Sequence, residues 1–249
     1  VVYKGILGTK NKTVAIKSLF QEENGDEFVP NDVKRQMQRE STVLCSLNHP
    51  NIIKIFGVVP ERGWIIMEYC AKGSLKSLLR DVSGNSFRTS NLSKFACDVS
   101  TGIAYLHSPD VSIIHGDIKA DNVLVRQDDT ICIADFGLSE ARNRSKSMSA
   151  TSLSGAFTVQ WTAPELMKGK VKTRETDVFA LGMTIWEIFE RKSPFEGVDD
   201  LVVVNQILNN VRPEISSKTP REFKHIIEKA WSDNVKSRPM ASQIAVVLS

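Results

Sequence analysis

The chain has 249 residues, enough for one large domain or two small ones, and ample apolar content for a core. No run approaches the ~18 apolar residues of a membrane-spanning helix, and no signal-peptide pattern opens the chain. A net charge of +3 with no concentrated basic stripe gives no footprint for nucleic acid.

The elements follow in chain order. Val1 to Leu7 and Thr13 to Leu19 are β-branched, apolar runs separated by the polar turn Gly8-Thr9-Lys10-Asn11-Lys12. Asn31 to Leu47 reads as a helix capped by Asn31 or Asp32, with Val33, Met37, Val43, Leu44 and Leu47 on one apolar face. Ile52 to Val59 and Trp64 to Glu68 are further strands, bounded by Gly57, Pro60 and Gly63. Beyond Gly73 the pattern turns helical. Leu92 to His107 and Thr176 to Glu190 are long periodic segments, and the second is apolar enough to be a buried central helix. Shorter helices are expected near Leu201 to Leu208, Arg221 to Trp231 and Ala241 to Leu248. Arg142 to Gly155 is Ser-rich, basic and poor in apolar residues, and reads as a mobile loop. A small sheet-rich half joined to a larger helical half makes an α+β protein, and the cleft between such halves suits a nucleotide.

Cys45, Cys70, Cys97 and Cys132 are spread with no C-x-x-C pair. They read as free thiols in a reducing, cytoplasmic compartment rather than as a disulfide framework or zinc site. His49, His107 and His225 lack metal-ligand spacing and read as structural. The chain lacks a starting Met and opens inside a strand-like run, so it reads as a piece of something longer.

The chemistry-bearing residues concentrate in Ile114-His115-Gly116-Asp117-Ile118-Lys119-Ala120-Asp121-Asn122, then Asp135-Phe136-Gly137, then Ala163-Pro164-Glu165. An Asp that accepts a hydroxyl proton, an Asn that holds a metal and a second Asp that holds Mg²⁺ are what phosphoryl transfer requires. Each tripeptide alone is weak, and an Asp-Asn loop is commonly an ordinary capped turn. Together, in this order and spacing, they resemble the eukaryotic protein kinase family. Val14-Ala15-Ile16-Lys17 matches the family's strand lysine, although a strand-end lysine is by itself unremarkable.

The resemblance covers nearly the whole chain and implies a two-lobed kinase fold. Residues 1–67 would form the N-lobe, 68–73 the hinge and 74–249 the C-lobe. It also implies ATP and Mg²⁺, and protein substrates with Ser or Thr acceptors. Lys17 would hold the α- and β-phosphates, oriented by Glu40 rather than by Glu22, Glu23 or Glu27. Asp117 would be the base, Lys119 would offset charge at the transferring phosphoryl, and Asn122 and Asp135 would ligate Mg²⁺. Val2, Ala15 and Leu124 would enclose the adenine, Met67 would gate the back of that pocket, and backbone groups of Glu68 and Cys70 would meet the base. Leu44, Ile55, His115 and Phe136 match the family's internal apolar stack over Asp177, and Arg238 matches the arginine that pairs with Glu165.

Two departures stand out. The G-x-G-x-x-G lid is missing, and Val2-Tyr3-Lys4-Gly5 resembles the strand that follows it, so the glycines are expected upstream of residue 1. Gly116 stands where most of the family has Arg, whose charge a loop phosphate neutralises. Its loss implies that phosphorylation is not needed to switch on Asp117, and that Ser145, Ser147, Ser149, Thr151, Ser152 and Ser154 are autophosphorylation sites or filler. His-Gly-Asp also resembles the aminoglycoside phosphotransferases, but those lack the polypeptide shelf built by Ala163-Pro164-Glu165, Asp177 and Arg238. Lys119 and Thr158 follow the serine/threonine pattern, whereas Trp161, Trp186-Glu187 and Trp231 look like tyrosine kinases. This mixture resembles the tyrosine-kinase-like group. The alternatives are a tyrosine or dual-specificity kinase, or a pseudokinase scaffold, the latter opposed by the presence of Lys17, Asp117 and Asp135.

Overall fold

A computed structural model describes residues 1–8, 11–19, 29–81, 87–136 and 158–249. Glu22, Glu23, Glu27, Gly137 and the Ser-rich stretch 142–155 lie outside the described residues.

The N-terminal half is an antiparallel sheet in the order β1-β2-β4-β3, built from β1 (Val2–Leu7), β2 (Lys12–Ser18), β3 (Ile55–Val59) and β4 (Trp64–Glu68). Its register sets Val2 opposite Lys17 and Ala15 opposite Met67. Residues directly opposite share a face, as do residues two apart along a strand. Val2, Ala15, Lys17 and Met67 therefore project from one face of the sheet. The run expected as a strand from Ile52 enters the sheet only at Ile55. Ile52 and Ile53 are diverted to the other half, where Ile52 bridges Ile133 and the Ile53 N–H donates to Ile133 O at 2.9 Å.

Helix α1 (Asn31–Ser46) buries Val33, Met37 and Leu44 against the sheet, and Leu47 follows at its end. Val43 points outward at 48% exposure, a correction to the expected apolar face, because it falls between the buried rows. The cap is also corrected. Pro30 precedes the helix without a side-chain cap bond, and Asn31 and Asp32 are already its first two residues. Asp32 there still complements the positive end of the helix dipole.

The C-terminal half holds α2 (Leu75–Arg80), α3 (Thr89–His107), the hairpin β5 (Val123–Val125) with β6 (Ile131–Ile133), α4 (Pro164–Met167), α5 (Arg174–Glu190), α6 (Asp200–Leu208), α7 (Arg221–Ala230) and α8 (Ala241–Leu248). Helix α5 is the axis of this half, with every residue from Thr176 to Phe189 buried. A helix apolar all round has no solvent face to offer, so neighbours must surround it. Gly182 lets α7 approach, since a Cβ there would stand 2.8 Å from the Ala230 Cβ. The helix starts two residues earlier than its apolar run because Thr173 and Thr176 form a reciprocal capping box. Truncating a side chain such as Ile185, fully buried in this core, would cost roughly 2–5 kcal/mol. No helix among the described residues is long and apolar enough to cross a membrane. His225, expected to be structural, lies exposed on α7.

Candidate active site

Asp177, fully buried in the first turn of α5, organises the loop that carries Asp117. Its carboxylate accepts from His115 N at 2.7 Å and Gly116 N at 2.8 Å, and meets His107 Nε2 at 2.9 Å. Two consecutive loop amides thus converge on one buried anion, an arrangement that fixes the backbone just before Asp117. His115 is clamped as well. Its Nε2 lies 2.9 Å from Ala134 O while its Nδ1 accepts from Asp117 N at 3.2 Å. Those roles require the neutral tautomer with hydrogen on Nε2, and burial lowers the pKa of this imidazole accordingly. The His115 ring meets the Phe136 ring edge-on with centroids 6.3 Å apart, and Leu44, Ile55, His115 and Phe136 are all buried.

Around Asp117 the polar groups close a ring. Asn122 Nδ2 donates to Asp117 O at 2.6 Å and to Asp117 Oδ2 at 2.9 Å. Thr158 Oγ1 donates to Asp117 Oδ1 at 3.2 Å and accepts from Lys119 Nζ at 2.6 Å, with Lys119 Nζ also 3.3 Å from Asp117 Oδ1. Thr158 comes from the far end of the segment that precedes α4, so residues distant in sequence meet at one carboxylate. Asp135 sits nearby with left-handed backbone, φ 67°, a conformation that stores strain and is tolerated by Asp better than by most residues.

On the other side of the cleft, the ion-pair partner of Lys17 is Asp135. The expected orienting residue, Glu40, instead accepts from Gln36 Nε2 at 2.9 Å on its own helix. Met67 and Ala15 are buried side by side, Leu124 is half-buried on β5, and Val2 is 61% exposed on the edge strand. Glu68 N donates to Lys54 O at 2.9 Å and Cys70 O accepts from Gly73 N at 3.3 Å.

The family described as protein tyrosine and serine/threonine kinase matches residues 1–248. The chain belongs to the protein kinase family. It is 32% identical to a putative serine/threonine-protein kinase/receptor of Acanthamoeba polyphaga mimivirus over 100% of this chain and 14% of that protein. It is 30% identical to the serine/threonine/tyrosine-protein kinase HT1 of Arabidopsis thaliana over 99% of this chain and 62% of the relative. It is 33% identical to the tyrosine-protein kinase csk-1 of Caenorhabditis elegans, covering 96% of this chain and 43% of the relative. The chain thus spans less than two thirds of each of these relatives.

Within this kinase domain, the expected pair of Arg238 and Glu165 is bidentate, at 2.5 and 2.9 Å, and both residues are buried. Other contacts escaped sequence reasoning. Arg126 grips Glu68 at 2.7 and 3.1 Å and Pro50 O at 2.7 Å, spanning the two lobes. The Cys70 and Cys132 sulfurs lie 3.5 Å apart, and that contact lowers the Cys70 pKa. Glu187 accepts from Ala120 N at 3.1 Å, and burial pushes its carboxyl up to about 7. Lys172 Nζ donates to Gly116 O at 2.9 Å. None of these has a local signal, because each joins residues that only the folded chain brings together.

Proposed function

We propose that this domain transfers the γ-phosphoryl of ATP to Ser or Thr hydroxyls of proteins. The single observation that carries the reading is the ring of Asp117, Lys119, Thr158 and Asn122 around one carboxylate. Asp117 is acceptor-only when ionised and is aimed by Asn122 and Thr158. In the reaction, the acceptor O–H bond breaks as its oxygen bonds to Pγ, the Pγ–O bond to the β-phosphate breaks, ADP leaves, and the proton passes to Asp117. Lys119 is placed to offset charge on the transferring group. Such a preorganised donor is worth on the order of 3 kcal/mol.

The donor set fits Mg²⁺. The Asn122 nitrogen is committed to Asp117, which leaves the amide oxygen as the end available to a metal, and Asp135 supplies a carboxylate. Hard oxygens from one or two residues plus substrate phosphates are the usual Mg²⁺ arrangement. When bound, the ion would neutralise charge on the phosphates. Lys17, here paired with Asp135, would hold the α- and β-phosphates. Glu40, on the helix facing Lys17, is the carboxylate we assign to reorient it. The face bearing Val2, Ala15 and Met67, with Leu124 opposite and the backbone of Glu68 and Cys70 beside it, would take the adenine. We assign residues 1–67 to the N-lobe, 68–73 to the hinge and 74–249 to the C-lobe.

Serine and threonine are favoured by Thr158 bridging Asp117 and Lys119, with the serine/threonine name of the mimivirus relative alongside. The mixed motifs favour the tyrosine-kinase-like group. The test is ADP release with Mg·ATP and casein as acceptor. Turnover lost in Asp117→Asn and Asp135→Asn is expected, whereas nucleotide binding without turnover would favour a scaffold role.

A further inference from the structure

Gly116 is more than a missing side chain, because its space is occupied. It adopts φ +72°, and a Cβ built there would stand 2.6 Å from Lys172 Nζ and 2.7 Å from Lys172 Cδ. The same Nζ donates to Gly116 O at 2.9 Å, while Gly116 N donates to Asp177 Oδ1 at 2.8 Å. The peptide groups on either side of Gly116 are thus gripped, one by a buried anion through its N–H and the other by a cation through its carbonyl. That carbonyl belongs to the peptide bond leading into Asp117. Its orientation therefore helps fix the Asp117 backbone from which Asn122 and Thr158 aim the carboxylate.

We infer that Lys172, half-buried in the segment between α4 and α5, is a positioning residue for Asp117, and that it requires glycine at 116. The inference rests on the kinase reading above for its effect on rate. The Lys172 side chain must shift to clear a new Cβ, and that shift disturbs its bond to Gly116 O. A side chain at 116 and the Lys172 bond therefore compete for the same space. The bond is charge-assisted, the stronger class of hydrogen bond. It needs no modification to form, so the cation beside the Asp117 loop is supplied by the chain itself. Small displacements of a positioned group are costly, with about 1 Å enough to lower a rate roughly a hundredfold.

The test compares Lys172→Ala, Lys172→Arg, Gly116→Ala and the Gly116→Ala/Lys172→Ala pair, using Mg·ATP and casein. Lys172→Ala should lower kcat about tenfold while KM for ATP changes by less than about twofold, the pattern of a group acting on the transition state alone. Lys172→Arg, which still offers an N–H to the carbonyl, should recover most of the rate. The double variant should be no slower than Gly116→Ala, because both changes act on the same bond. Hydrogen exchange at the Gly116 and Asp117 amides should quicken in Lys172→Ala, and this reading needs no turnover. Unchanged kcat and unchanged exchange in Lys172→Ala would overturn the inference. So would a rate loss that tracks a fall in Tm and is not recovered by Arg. If the wild type itself transfers no phosphate, the kinase reading fails and the exchange arm alone decides whether Lys172 holds the loop.

Discussion

The two walls of the cleft are held in different ways. On the C-lobe side, Asp117 is surrounded by side chains whose bonds are already made, and the backbone before it is pinned to a fully buried Asp177. On the N-lobe side, Lys17 is paired across the cleft with Asp135, and Glu40 is engaged within its own helix. The first wall carries its geometry in buried polar contacts, which are expensive to break. The second rests on a single ion pair between Lys17 and Asp135, so one exchange of partners is enough to release it. The difference locates the expected control of activity in the N-lobe and the chemistry in the C-lobe.

The largest effect should come from the rigid wall. Asp117→Asn keeps a shape compatible with Asn122 and Thr158 but removes the proton acceptor. Its kcat should fall about a thousandfold with nucleotide affinity retained, measured by steady-state kinetics and an ATP titration. Survival of turnover in that variant would break the comparison at its strongest point. Arg238→Ala strands Glu165, which is 7% exposed, as a buried charge, so unfolding should cost about 3–5 kcal/mol less. Chemical denaturation reads this directly.

The pH dependence sharpens the same wall. The Glu187 carboxyl rises from 4.5 to about 7 because it is buried. The folded state then binds more protons than the unfolded state between those values, so stability is full below about 4.5 and falls as pH rises through about 7. The loss amounts to about 3 kcal/mol. Glu187→Gln, which retains an acceptor for Ala120 N, should abolish that decline. His115 acts in the opposite sense. Its lowered pKa makes the unfolded state the better proton binder below 6.5, so its contribution is lost on acidification. Denaturation curves across pH 4 to 8 for both proteins separate the two slopes.

On the N-lobe wall, Glu40→Gln retains an acceptor for Gln36 Nε2, and its Tm shows whether the fold is kept. Its kcat/KM should fall about tenfold if Glu40 reorients Lys17 in the working state. Equal activity would show that Lys17 needs no such partner. As the smallest effect, Lys94→Ala removes an exposed pair with Asp98 at 2.5 Å and should change stability by about 0.5 kcal/mol or less.

How much was legible in the sequence follows the same division. Helix α5 was readable because it is apolar all round, and the Asp117 cluster because its residues lie at fixed short spacings. Thr158 and Arg238 were readable only through resemblance, their partners lying 41 and 73 residues away. The hairpin of β5 and β6 was missed because three-residue strands carry too little alternation to register. Lys172 was missed because a lysine before a helix looks like a surface residue until the fold brings Gly116 beside it. The expected Lys17–Glu40 pair illustrates the opposite case. Motif spacing names the carboxylates a lysine could reach, while the fold decides which one it meets.

We propose that the assembled C-lobe cluster transfers phosphate to Ser or Thr. The most direct test is phosphoamino-acid analysis of protein labelled from γ-labelled Mg·ATP, with Asp117→Asn alongside. Phosphoserine or phosphothreonine that disappears in the variant is the expected result. Phosphotyrosine as the main product, or label that persists in Asp117→Asn, would contradict it.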